Sequence, residues 1–202
     1  MPSGYNLFDI HRNRRLSAFE GLGNIEFGDR PQFFFAHVLL PHDPFVLDAD
    51  LNALYPDMGY VLAPNDANRS SDVATYIAGY VGQIQAFNKL ALEAIDAIIA
   101  DNPETVIVIH ADHGPRLNNS VKGNYENWQE FLGEECGILS AYYLPGADHE
   151  KLLYPSISPV NSFRVVFNQY LDGNYELLED RTHFSDIGND EMIDVTDMLH
   201  GE

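Results

Sequence analysis

Basic residues are scarce in this 202-residue chain: 11 Lys and Arg stand against 31 Asp and Glu, a formal net charge of −20. Such a balance repels nucleic acid and anionic lipid surfaces, and so argues against both as partners. It does not exclude a small anionic substrate, because a bound metal and a few local cations invert the field within one site. Cysteine is nearly absent. Cys136 stands alone, so no internal disulfide is possible. Its Gly-Glu-Glu-Cys-Gly setting raises a thiol pKa rather than lowering it, and the residue reads as a packing group, not a nucleophile. No run reaches the roughly 18–20 apolar residues of a membrane span. Met1-Pro2-Ser3 is followed by polar residues and opens no signal peptide. Internal repeats and low-complexity tracts are missing as well.

What is present is enough for one ordinary domain with a real core: 45% hydrophobic residues, with 12 Phe and 11 Tyr. Residues 1–30 show no clear element and are expected to be irregular. Their basic cluster, His11-Arg12-Asn13-Arg14-Arg15, reads as solvated surface. Residues 32–40 are rich in Phe and Val and predict a strand, ended by Pro41-His42-Asp43-Pro44-Phe45. Residues 46–70 are loop-like. A helix is predicted over 72–101, capped by Ser70 or Ser71 and stopped at Asn102-Pro103. Its apolar face comprises Ile77, Val81, Ile84, Phe87, Leu90, Ala91, Ala94, Ile95 and Ile98. A strand over 105–111 follows at once, making one α/β unit. Residues 115–135 look like a polar excursion above the sheet. Residues 138–144 predict another strand, and 159–171 a helix with Ser158 as its cap and Pro159 at its first position. The last 25 residues are acidic and weakly patterned.

The richest segment is 105–114, Thr-Val-Ile-Val-Ile-His-Ala-Asp-His-Gly. Its β-branched run fits a central parallel strand covered on both faces. Polar residues at the carboxyl end of such a strand lie where open α/β sheets bind ligands. Asp112 and His113 offer a hard oxygen and an imidazole nitrogen, a pairing that suits a divalent metal, and Gly114 permits a sharp turn. The same pattern also fits a strand end facing water.

Taken in order, these motifs carry a family resemblance. A strand ends Pro-His-x-Pro, a long helix begins with tyrosines, and a strand ends Asp-His-Gly. Then come a strand closed by Pro-Gly and a helix opened by Ser-Pro-Val-Asn. Over residues 31–180 the chain resembles the C-terminal part of the sulfatase domain in the alkaline phosphatase superfamily. Within it, the chain looks most like bacterial membrane-anchored sulfatase-like hydrolases and phosphoglycerol or phosphoethanolamine transferases. The resemblance implies an α/β three-layer sandwich with a mostly parallel central sheet. It divides the chain into an N-terminal segment, 1–30, and the C-terminal part of a sulfatase-like domain, 31–202. The cofactor implied is a divalent metal ion, Mn, Zn, Mg or Ca, held by Asp112 and His113. The substrate implied is a small sulfate or phosphate ester, including a lipid or glycan head group. The parent would sit at the extracytoplasmic face of a bacterial membrane, reaching the membrane only through segments outside this chain.

In that reading His42 matches the family's substrate-site histidine and acts as a catalytic and substrate-binding group, donating to an oxyanion or protonating a leaving alkoxide. Arg116 would hold two oxyanion oxygens in a fork. His37 is a further substrate-binding candidate, although strand alternation sets it opposite His42 unless the backbone bends at Pro41. His110 is either an orienting residue behind the metal pair or a packed side chain. Arg164 is expected to pair with a carboxylate, His183 is a weak candidate, and Tyr76 and Tyr80 are expected to pack on the sheet. The region of Trp128 could line a pocket. One departure matters. The family's nucleophile and early acidic ligand lie well upstream of the Pro-His-x-Pro strand, and neither Ser17 nor Glu20 has a matching setting. The chain is therefore expected to be a piece of a longer enzyme, and inactive alone. Two alternatives stand beside this reading. One is a non-catalytic pseudoenzyme or interaction module of the same fold. The other is a metallo-β-lactamase-like hydrolase, whose His-x-His-x-Asp-His signature is broken here by Val108.

Overall fold

The segment expected to be irregular carries a helix, α1, Leu7–Gly23. Asn6 caps it, its side-chain oxygen accepting from the Phe8 N–H at 3.0 Å. Its inward residues are Phe8, His11, Arg15, Leu16, Phe19 and Leu22, on one helix face. Two of these six are polar, so the apolar period is broken and the helix is hidden in the sequence. The basic cluster is correspondingly split. His11 and Arg15 are buried, while Asn13 and Arg14 face solvent.

The structure, a computed structural model, describes residues 6–55, 73–115, 128–185 and 191–200. It divides into two compact units, Met1–Glu104 and Thr105–Glu202. In the first, α2 spans Val73–Asp101, close to the helix the sequence predicts; the proposed caps Ser70 and Ser71 lie outside the described residues. Its buried stripe is Gln83, Ala86, Ala91, Ala94 and Ile98, whereas Ile77 and Val81 are exposed. The stripe is rotated because small residues let the chain lie close against the helix. A Cβ on Gly79 would stand 2.2 Å from the Phe45 ring, and one on Gly82 would stand 3.6 Å from the Ala49 nitrogen. α1 packs on α2, with Phe19 edge-on to Phe87 at 5.7 Å between ring centres. Leu40, Val46 and Leu47 complete this core.

Residues 32–40 form no strand. Among the described residues their backbone makes no hydrogen bond to another backbone group. Val38 and Leu40 reach the core, but Phe33 and Phe35 are 80% and 82% exposed.

In the second unit β1, Ile107–His110, pairs with β2, Ser140–Tyr143. The pairing is antiparallel, with Ile107 opposite Tyr143 and His110 opposite Ser140. Between them lies α3, Trp128–Cys136, so the supposed excursion is helical at its end. After β2 come α4, His149–Leu152, and α5, Pro159–Tyr170. A short pair, β3 at His183–Phe184 and β4 at Ile193–Asp194, precedes α6, Thr196–His200. Leu132, Leu144, Val165 and Val195 are the buried hydrophobes here. Trp128 packs edge-on against Phe184 at 5.7 Å and Phe131 at 6.1 Å, and so serves the packing of α3.

The expected three-layer sandwich with a mostly parallel central sheet is thus overturned. Among the described residues there are two sheets, each of two antiparallel strands, in a helix-rich chain. The physical reason is that strand propensity is local while strand direction is decided by a distant partner. The run 105–109 does favour a strand, but the partner it finds is 140–143.

Candidate functional site

His37 and His42 lie in the first unit, and His110, Asp112 and His113 in the second; Arg116 lies outside the described residues. The surroundings of each group are those of its own unit.

His42 sits on the turn between Pro41 and Pro44, and that turn is held by side chains rather than by regular structure. Gln83 of α2 donates through Nε2 to the Pro41 and His42 carbonyls, both at 2.9 Å. Its Oε1 accepts from the Val46 N–H at 2.9 Å. Arg15 of α1 donates to the His42 carbonyl at 2.6 Å, the Pro44 carbonyl at 3.2 Å and Gln83 Oε1 at 3.0 Å. Both clamp residues are buried. Behind them, burial and then the charge of Arg15 push the His11 imidazole down to about 4.

The His42 ring reaches solvent, with 43% of its side chain exposed. Its Nδ1 lies 2.6 Å from the Asp43 carbonyl oxygen and 3.0 Å from Asp43 Oδ1. A carbonyl only accepts, so Nδ1 carries hydrogen and Nε2 is the nitrogen left to meet a ligand. The hydrogen bond to the Asp43 carboxylate is the main force raising the His42 pKa, against partial burial. His37 is exposed.

Phe45 completes the His-x-Pro-Phe segment. It seats edge-on against Tyr76 at 5.2 Å and Tyr80 at 6.4 Å, which stack on each other over one helical turn. These tyrosines therefore pack on the loop that presents His42, not on a sheet.

In the second unit the Asp112-His113-Gly114 turn docks on the end of α3. The Gly114 N–H donates to the Glu135 carbonyl at 2.8 Å. A Cβ on Gly114 would lie 1.8 Å from the Glu134 carbonyl oxygen, so only glycine permits this approach. His113 Nδ1 lies 2.7 Å from the Gly114 carbonyl, which again fixes the hydrogen on Nδ1 and frees Nε2. Nε2 then stands 3.7 Å from Asp112 Oδ2. Two ligands each about 2.1 Å from one metal, at an angle of roughly 110–120°, would be about 3.4–3.6 Å apart. The pair therefore fits one corner of a coordination shell. Among the described residues no group of three or more His, Cys, Asp or Glu side chains is gathered to complete it. Asp112 remains open, its side chain 87% exposed.

His110 is a packed residue. Its Nε2 lies 3.1 Å from both the Tyr142 hydroxyl and Ser162 Oγ, which are themselves 2.6 Å apart. This cluster ties β1 and β2 to α5, and burial lowers the His110 pKa. Ser162 is a hydroxyl against an imidazole, but it is fully buried and cannot meet a substrate. Ser17 is exposed on α1. Burial and then Glu135 raise the Cys136 thiol pKa.

Other assignments are redrawn. Arg164 donates to the Glu176 and Val160 carbonyls rather than to a carboxylate. The hydroxyl of Ser158 turns to Asp180 at 2.5 Å instead of capping α5. Buried Asn161 joins the same network, with Nδ2 donating to the Leu178 carbonyl at 2.8 Å and Oδ1 accepting from the Leu178 N–H. His183 lies in β3 opposite Asp194.

The residues missed in the sequence are Arg15, Gln83 and Asp43. The signal for Arg15 was its place in the 8, 11, 15, 16, 19, 22 stripe, where a cation occupies a core position. Among the described residues no helix is long and apolar enough to cross a membrane. No family model, curated protein or solved structure matches the chain.

Proposed function

We propose that this chain is part of a metal-dependent hydrolase or transferase acting on sulfate or phosphate esters, with the nucleophile supplied from outside it. The observation that carries the reading is the shared state of His42 and His113. Each has its Nδ1 hydrogen tied to the next residue's carbonyl and its Nε2 left for a ligand. In His113 that nitrogen is paired with Asp112, giving two of the three or four ligands a stable site uses. A divalent ion there would supply Lewis-acid polarisation of an ester oxygen. In this reading His42 Nε2 would donate to a tetrahedral oxyanion or to a leaving oxygen. The substrate class is a small sulfate or phosphate ester, including a lipid or glycan head group, met at the extracytoplasmic face in the parent protein.

A non-catalytic module is the second reading, and the buried position of Ser162 favours it. An assay separates the two. The chain and any longer product of its gene are offered p-nitrophenyl phosphate and p-nitrophenyl sulfate with added metal. Turnover by the longer product alone is the expected result, since positioning without a nucleophile leaves most of the barrier in place. Turnover by residues 1–202 that is lost in His42→Ala and Asp112→Ala would overturn the external nucleophile. Silence from both proteins would favour the module.

A further inference from the structure

We propose that Asp43 is a positioning residue, carried on a turn locked by Arg15 and Gln83, that fixes His42 as a cationic hydrogen-bond donor for a tetrahedral oxyanion. The inference deepens the reading above and rests on it for the identity of the ligand, but its geometry stands alone.

The four carbonyls from Pro41 to Pro44 are all engaged. Gln83 takes the first, Gln83 and Arg15 the second, the His42 ring the third and Arg15 the fourth. A turn bounded by two prolines is already restricted in its backbone. Burying a guanidinium to hold it costs desolvation energy that a purely structural turn does not require. The arrangement is intelligible if the direction of the His42 ring is what must be fixed. Asp43 completes it. Its carbonyl and its Oδ1 both face His42 Nδ1, so the ring is held at one edge and presents Nε2 at the other.

The charges acting on His42 come from several elements. Asp43, on its own turn, favours the imidazolium through its carboxylate; Arg15, from α1, opposes it. His11, also from α1, is held neutral by burial and by Arg15, so it adds no competing positive charge at neutral pH. The carboxylate wins, and the His42 pKa is raised from its ordinary value. If the proton is transferred, it leaves Nε2 for the departing ester oxygen as the bond from that oxygen to phosphorus or sulfur breaks and the bond from the external nucleophile forms. His42 is then neutral, its hydrogen still on Nδ1 and donated to Asp43, and a proton from solvent restores Nε2–H.

Nitrogen-15 NMR of the histidine rings in the whole 202-residue chain tests this without metal, ester or nucleophile, so its failure is distinct from failure of the ester-hydrolase reading. In the wild type, His42 is expected to titrate above ordinary histidine and to keep the hydrogen on Nδ1 when neutral. Asp43→Asn should move that titration to lower pH, and should reduce the His42 shift caused by inorganic phosphate. A neutral His42 carrying its hydrogen on Nε2 overturns the proposal in the wild type alone, whether or not the variant folds. So does an Asp43→Asn protein with an unchanged backbone spectrum and an unchanged His42 titration. A His42 resonance that inorganic phosphate and sulfate leave unmoved would remove the oxyanion from the proposal.

Discussion

The two units present a histidine in the same tautomer by opposite means. In the first, buried side chains do the holding: Arg15 and Gln83 reach from two helices to the carbonyls beside His42. In the second, the backbone does it: Gly114 lets the Asp-His-Gly turn press onto the end of α3, with His113 half-buried and Asp112 exposed. A side-chain clamp fixes direction but commits buried polar groups that must all be satisfied. A glycine contact is inexpensive and leaves the Asp112 carboxylate exposed, with Oδ1 accepting from the His113 N–H at 3.1 Å. Under the proposed function, this difference would suit a donor that is aimed and a ligand pair that closes on a cation.

The contrast should break most sharply at Arg15. Arg15→Met leaves the Pro44 carbonyl without that donor and the His42 carbonyl and Gln83 Oε1 each one donor short, and should destabilise the first unit by about 3 kcal/mol or more. Amide hydrogen exchange along α1 and α2 measures it. An equal loss of protection in β1 and β2 would show that the clamp is not particular to its unit.

Acid should act next. His11 titrates at about 4 in the folded chain, below its ordinary 6.5, so the unfolded chain binds more protons between those values. Stability is fully present above about 6.5 and falls as the pH drops through this window, by up to about 3 kcal/mol at its lower end. His42, shifted upward, contributes with the opposite sign: its share is present at low pH and fades as the pH rises through its folded value. Urea denaturation between pH 4 and 8 would show the His11 slope, and His11→Gln should remove most of it.

Gly114→Ala sharpens the second half of the comparison. Its Cβ meets a backbone carbonyl that cannot move without disturbing α3, so a loss of about 2 kcal/mol is expected. Trp128 opens that helix and its fluorescence reports the disturbance.

The smallest effect on stability should be at Asp112. Being exposed, Asp112→Ala should change stability by less than about 0.5 kcal/mol. It should nevertheless abolish whatever manganese or zinc uptake calorimetry detects in the wild type. Tight stoichiometric uptake by the wild type would show that residues beyond Asp112 and His113 complete the site.

Local chemistry was readable in the sequence where it depends on neighbours along the chain. The apolar spacing and Asn102-Pro103 marked α2, the β-branched run marked β1, and Pro159 marked the start of α5, because propensity and capping act within a few residues. The adjacency of Asp112, His113 and Gly114 likewise decided that an oxygen, a nitrogen and a sharp turn would occur together. Only the tertiary structure decided that β1 pairs antiparallel with β2, that 32–40 pairs with no strand among the described residues, and that His110 packs against Tyr142 and Ser162. It also turned His11 and Arg15 inward. Those outcomes rest on partners some thirty to seventy residues away, and a local pattern carries no information about which distant donor will satisfy a given carbonyl.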